Sequence, residues 1–233
     1  MLSKRIIPQL LCRGRQLIKG KQFKSWRSVG VAAQAVRVHQ MRGVDELMLL
    51  DIGATAEGRG PDISLVEELS EVCFMPLTVG GGIRTVGDAK ALLRAGADKI
   101  AIGAAGTLAI YHVADSLGAQ AVVGIINYHD HAPHGIAALA HQYEQCGAGE
   151  ILLQCIDREG IMEGYDIETL EEVTSAVSVP VIASGGCGSY EHMLEAIRAG
   201  ADAVGVGSLF QFQDETPRGA AEYLHQRGVE VRL

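Results

Sequence analysis

Two glycine-rich turns are the part of this sequence best suited to chemistry. The first reads Gly80-Gly81-Gly82-Ile83-Arg84-Thr85 and the second Ser184-Gly185-Gly186-Cys187-Gly188-Ser189; each follows a short apolar run and precedes an amphipathic stretch. Glycine lets a backbone come close to an anion, and the first N–H groups of a helix point outward without partners, so such a junction can cradle a phosphate. Gly103-Ala104 and Gly207-Ser208 end the next apolar run after each turn and offer further backbone N–H groups. Glycine turns also serve tight bends and close helix packing. The same turn occurring twice favours the ligand-binding reading, with one phosphate per turn and a doubly phosphorylated molecule bridging the two.

A second cluster, Tyr128-His129-Asp130-His131-Ala132-Pro133-His134-Gly135, holds imidazoles and a carboxylate. These groups can ligate a metal or move a proton, and they equally suit a polar surface turn, which is the reading preferred here: no metal and no cofactor are expected. The five cysteines are odd in number and form no Cys-x-x-Cys pair, so neither a disulfide framework nor a zinc site is indicated. Cys155 and Cys187 have no predicted cationic neighbour and read as packing residues, not nucleophiles.

The elements that must position these residues repeat. Sliding the chain by 104 positions lays GVDELMLLDI (43–52) onto GAGEILLQCI (147–156), PLTVGGGI (76–83) onto PVIASGGC (180–187), and LRAGADKIAIG (93–103) onto IRAGADAVGVG (197–207). Such self-similarity points to a two-half architecture. Within each half, apolar runs alternate with amphipathic stretches in β-α-β order. Strands are predicted at 5–11, 46–52, 76–80, 99–103, 121–127, 150–156, 180–184 and 203–207. Helices are predicted at 31–41, 64–72, 86–95, 109–117, 136–146, 168–177, 190–199 and 217–227. Eight alternating pairs favour a closed (β/α)8 barrel with a twofold half-barrel repeat over an open sheet, because closure removes unprotected edges.

Length and composition agree. The 233 residues sit just below the usual length of such a barrel, and no linker rich in Pro, Gly or Ser interrupts them, so one domain over 1–233 is expected. The chain is 48% hydrophobic with one Trp and four Phe, which suits an aliphatic core of parallel strands. A net charge of −8 without a basic block argues against nucleic-acid and membrane-surface binding. The start MLSKRIIP lacks the apolar core of a signal peptide, and a soluble cytoplasmic protein is expected.

The phrases KRIIP (4–8), Lys19-Gly20, VDELMLLDI (44–52), PLTVGGGIRT (76–85), GAGEILL (147–153), Asp157-Arg158 with Gly160, Gly164-Tyr165-Asp166 and PVIASGG (180–186) extend over essentially the whole chain. Together they resemble the cyclase subunit of imidazole glycerol phosphate synthase. The related phosphoribosyl isomerase of histidine synthesis shares the glycine turns, but the KRIIP start and the 157–166 segment fit the cyclase better. The resemblance implies a glutaminase partner whose ammonia enters the barrel bottom past a ring of charges and meets a bis-phosphorylated substrate at the top. The ring positions match Arg5, Glu46, Lys99 and Glu150, each at the start of a predicted strand. Asp98 matches a residue of the glutaminase interface, and Gly160 joins Gly81, Gly82, Gly103, Ala104, Gly185, Gly186, Gly207 and Ser208 in the phosphate-binding set. A ring of charges that only stabilises the barrel is the alternative.

Family chemistry relies on two aspartates as general acid and base, on opposite sides of the mouth. Their positions here are Leu11 and Asn127, neither of which transfers protons at neutral pH. Lys19, used near the substrate in the family, is retained; Glu159 stands where the family has an aspartate; and the loop after the fifth strand is markedly shorter than the family pattern. Leucine at the first position followed by Lys-Gly is similar to a divergent branch found with surface-polysaccharide genes, in which the barrel passes ammonia to an enzyme that amidinates an acetamido sugar. A barrel subunit of a glutamine-dependent amidotransferase, with its ammonia entrance intact and its acid/base pair missing, is therefore expected. The alternatives are an ordinary cyclase in which Glu159 or the 129–134 loop moves the protons, and a non-catalytic barrel that binds a phosphorylated metabolite.

Overall fold

The computed structural model describes residues 3–130 and 135–233. Strand β1 (Arg5–Arg13) leads into a hairpin of β2 (Gln16–Lys21) and β3 (Lys24–Val31), after which helices and strands alternate. They are α1 (Ala32–Met41), β4 (Leu47–Asp51), α2 (Ile63–Ser70), β5 (Leu77–Gly80), α3 (Val86–Arg94), β6 (Lys99–Ile102) and α4 (Gly106–Leu117). The second half holds β7 (Val122–Tyr128), α5 (Ile136–Gln145), β8 (Glu150–Cys155), α6 (Ile167–Ala176), β9 (Val181–Ser184), α7 (Tyr190–Arg198), β10 (Ala203–Val206), the short α8 (Leu209–Phe212) and α9 (Pro217–His225). The expected strands and helices lie within three residues of these bounds. The hairpin and α8 were not expected.

Strands β1 and β4 through β10 pair in parallel, and β10 pairs back onto β1 with Arg5 opposite Ala203, so the sheet closes into an eight-stranded barrel. Side chains alternate along each strand. One set, including Ile6, Leu10, Leu49, Val79 and Ile151, packs outward against the helices. The other, including Ile7, Leu11, Met48, Val123, Leu152 and Ile182, fills the barrel interior. Among the described residues no helix is long and apolar enough to cross a membrane.

The repeat reaches down to individual hydrogen bonds. Asp62 accepts from Leu65 N–H to cap α2, and Asp166, 104 positions on, accepts from Thr169 N–H to cap α6. Thr85 caps α3 and Ser189 caps α7 in the same way. Asp98 Oδ2 accepts from Leu77 N–H at 2.8 Å, and its twin Asp202 accepts from Val181 N–H at 3.2 Å. In each half a backbone carbonyl of the neighbouring strand lies hard against the glycine turn, Asp51 O at Gly81 and Cys155 O at Gly185, and both glycines have positive φ (115° and 90°). A side chain there would overlap the next strand, so glycine is required before any ligand is considered.

Candidate active site

At the amino-terminal end of the barrel, four charged side chains converge from four strand starts. Arg5 Nη1 lies 2.6 Å from Glu46 Oε2 and 3.2 Å from Glu150 Oε1; Lys99 Nζ lies 3.2 Å from Glu46 Oε2 and 2.9 Å from Glu150 Oε1. The result is a closed ring of alternating sign. Thr78 Oγ1 donates to Glu46 Oε1 at 2.8 Å. Burial works against the Arg5 charge, but attraction to Glu150 and then Glu46, with hydrogen bonds from both, outweighs it and raises the guanidinium pKa. Asp98 sits one residue before Lys99 on the exposed rim, with Oδ2 bonded to Leu77 N–H.

At the opposite end, the two glycine turns have unlike surroundings. Gly81, Gly82, Gly103 and Ala104 border a cleft of about 630 Å³ that reaches down to Leu50, Ala101 and Gln154. Gly160, Gly185, Gly186, Gly207 and Ser208 surround a gap of only about 10 Å³, together with Gln9 and Glu159. The hairpin covers this second half. Gln22 N–H donates to Glu159 O at 2.8 Å, and Gln22 Nε2 donates to Asp157 O at 3.0 Å. Gly160, at φ 73°, lies so near the Gly20 carbonyl oxygen that any side chain there would meet it.

Lys19, on β2, carries its ammonium into this covered region. It is fully buried, Nζ has no hydrogen-bond partner among the described residues, and it lies against Gly207 so closely that a Cβ there would overlap it. Burial pushes its pKa below the ordinary lysine value, and the nearby Glu159 carboxylate offsets this only in part. Glu159 is itself buried and accepts from Gln154 Nε2 at 3.0 Å; Gln154 Oε1 accepts from Gln9 Nε2 at 2.9 Å, and Ser184 joins the same network. The sequence reading missed Gln9 and Gln154. The alternation that sends Arg5, Ile7 and Leu11 inward also sends Gln9 inward, and that was the available signal.

Leu11 is buried in the barrel interior and Asn127 is exposed at the wall of the large cleft. Neither supplies an ionisable group. His129 Nδ1 lies 3.0 Å from Asp157 Oδ1 on the surface, and its hydrogen bond holds the Asp157 carboxyl below the usual range. His131 and His134 lie outside the described residues. Asp130, Cys155 and Asp166 approach one another closely enough to ligate an ion, but their donors are engaged: Arg158 Nε and Cys155 Sγ donate to Asp130 Oδ1, and Asp166 caps α6. Burial pushes the Cys155 and Cys187 thiols up to about 12, which keeps them protonated.

The histidine biosynthesis protein family matches residues 5–216, nearly the whole barrel. The chain belongs to that family. It is 39% identical over 249 residues to imidazole glycerol phosphate synthase subunit HisF of Exiguobacterium sibiricum, with 100% of both chains covered. It is therefore a HisF-like barrel of the cyclase type. Within this HisF-like framework the carboxylate beside Lys19, among the described residues, is that of Glu159.

Proposed function

We propose that this HisF-like barrel is the ammonia-using subunit of a glutamine-dependent amidotransferase and binds a phosphorylated small molecule at its mouth. The closed Arg5–Glu46–Lys99–Glu150 ring carries the proposal. Above it the interior is apolar at Ile7, Met48, Val123 and Leu152, a lining that favours neutral ammonia over ammonium because an isolated charge is costly to desolvate. A glutaminase docked on the same end, with Asp98 on the rim, would deliver ammonia at the ring. The glycine turns with Gly103, Ala104, Gly160, Gly207 and Ser208 would hold phosphates at the other end.

Leucine at 11 and asparagine at 127 leave the family's acid and base positions without an ionisable group, with Glu159 and Lys19 on the covered side of the mouth and Asp51 at the wall of the large cleft, so the barrel is a divergent member that hands ammonia to a reaction other than imidazole glycerol phosphate formation. The test is to supply the purified protein with the bis-phosphorylated ribulose substrate and an ammonium salt. The expected result is no imidazole glycerol phosphate, together with stimulation of glutamine hydrolysis when a glutaminase partner is added. A barrel that neither binds nor stimulates any glutaminase overturns the proposal. A second reading, the ordinary cyclase, is favoured by the burial of Glu159 beside Lys19; turnover on the order of 1 per second would establish it.

A further inference from the structure

The helices that follow the two glycine turns open in the same way, with one exchange of residue. In α3 the capping Thr85 is answered three positions on by Asp88, whose Oδ2 accepts from the N–H groups of Arg84 at 3.1 Å and Thr85 at 2.9 Å. In α7 the cap is Ser189, and the position three on, the twin of Asp88 at the 104-residue offset, is His192. Its Nδ1 lies 3.2 Å from the N–H of Gly188, the twin of Arg84. A carboxylate fastens the first turn and an imidazole the second.

Acid acts differently on the two acceptors. Burial works against the Asp88 charge, but the bonds from Arg84 and Thr85 outweigh it and hold the carboxyl below the usual range. It stays an acceptor near neutral pH. An imidazole as a class changes charge between about pH 5 and 8. Only the neutral ring with its proton on Nε2 can accept from Gly188; once Nδ1 takes a proton both ring nitrogens are donors, and two N–H groups face each other.

More than the turn depends on this bond. The Met162 carbonyl oxygen is so near Gly188 that a side chain there would overlap it, Gly164 N–H donates to Gly186 O at 2.8 Å, and a Cβ at Gly164 would touch the His192 ring at 3.7 Å. Segment 162–164 therefore lies across the second turn. The residues leading into it are Glu159 and Gly160, on which the hairpin is seated.

The charges on the elements packed against α7 are committed elsewhere or face solvent. On α7, Glu191 accepts from Tyr223 of α9, and Glu195 and Arg198 are exposed. On α9, Arg218 pairs with Glu222 and His225 is exposed; on α6, Glu168, Glu171 and Glu172 are exposed and Asp166 caps the helix; β10 carries no charge. In the overlying segment Arg158 pairs with Asp130 and Glu163 is exposed. His129 pairs with Asp157, so its protonation tightens that segment and cannot mimic a release.

We infer that His192 is an acid-sensitive latch on the second glycine turn: neutral, it holds the Gly188 N–H and keeps the turn beneath segment 162–164; protonated, it lets go, while Asp88 keeps the first turn fastened. The inference goes beyond the proposed function and stands on the hydrogen bonds of the turn, whatever the mouth binds.

Amide hydrogen exchange of the full-length protein, resolved by NMR and corrected for the intrinsic effect of pH, compares Gly188 with Arg84 at about pH 7.5 and about pH 5.5. The expected result is that protection at Gly188 falls roughly fivefold in acid, the equivalent of one net hydrogen bond, and that protection at Arg84 changes by less than about twofold. His192→Asp, which gives the second turn the acceptor of the first, should keep Gly188 protected at both pH values. A nitrogen–proton spectrum of the parent imidazole should show Nδ1 without a proton at the higher pH. A fall at Gly188 no larger than at Arg84, the same fall in His192→Asp, or a neutral ring protonated on Nδ1 overturns the latch.

Discussion

Lys19 is fully buried, its Nζ has no hydrogen-bond partner among the described residues, and the nearby Glu159 carboxylate offsets its burial only in part, so this amino group costs the fold. Replacing it by methionine, which keeps the length and removes the unsatisfied buried polar atom, is expected to stabilise the protein by about 1–3 kcal/mol. Thermal melting checks this. The pH dependence has a definite sign. The folded pKa lies below the unfolded value of 10.5, so between the two the unfolded chain binds more protons and stability rises with pH. The melting temperature of the parent should therefore rise relative to that of Lys19→Met as pH is raised through this window. A constant difference between the two proteins would show that the ammonium is paired in solution. Lys19 was legible as a candidate from its Lys-Gly context. Its burial was not, because nothing in the residues 11–31 announces the hairpin that carries it.

Why the hairpin was invisible is an element-scale question. Its strands are short and mixed in character, and its turn lacks the Asn-Gly or Asp-Gly pair that marks a tight reversal. The four-residue α8 is likewise too short for any period to show. By contrast, the eight barrel strands and their helices were legible almost to the residue, since apolar runs bounded by glycine turns and AGAD phrases repeat at a fixed distance. The hairpin is held to the barrel through Gln22 on the 157–159 segment and by the stack of Arg27 on Phe212 at 4.8 Å. Gly160→Ala would place a methyl group against the Gly20 carbonyl at a positive φ. It should undock the hairpin without unfolding the barrel. Trypsin would then cut at Lys21, Lys24 or Arg27 at least several-fold faster than in the parent, with the global melting temperature changed little; unchanged cleavage would mean that the hairpin is not held by this contact.

At the scale of the whole molecule, the charged ring is built only by closure. Positions 5, 46, 99 and 150 are distant in the chain, and no local pattern connects them; they were singled out through family resemblance, while the glycine turns stand out from their own residues. Glu46 is the best buried of the four and accepts from Arg5, Lys99 and Thr78. Glu46→Ala leaves two cations facing one anion and should cost about 3–5 kcal/mol, a fall in melting temperature on the order of 10 °C for a chain of this size. A smaller loss, below about 1 kcal/mol, would show that water already screens the ring. The twin carboxylates give a milder comparison. Asp98→Asn and Asp202→Asn each weaken one bond to a strand N–H, and each is expected to cost about 1 kcal/mol by denaturant titration, unless the Lys4 contact of Asp202 adds to the second.

The ring also bears on descent. Glu46 and Glu150 are twins, 104 positions apart, whereas the twin of Lys99 is Ala203 and the second cation, Arg5, comes from the strand that closes the barrel. Two joined copies of one ancestral half would have supplied matching carboxylates and matching partners for them. The present ring takes one acid from each half and both bases from the first, so the floor of the barrel is a place where the two halves are not interchangeable. A protein rebuilt from two copies of the first half would carry four cations and two carboxylates at this floor, and one rebuilt from two copies of the second half would carry two carboxylates and neither base.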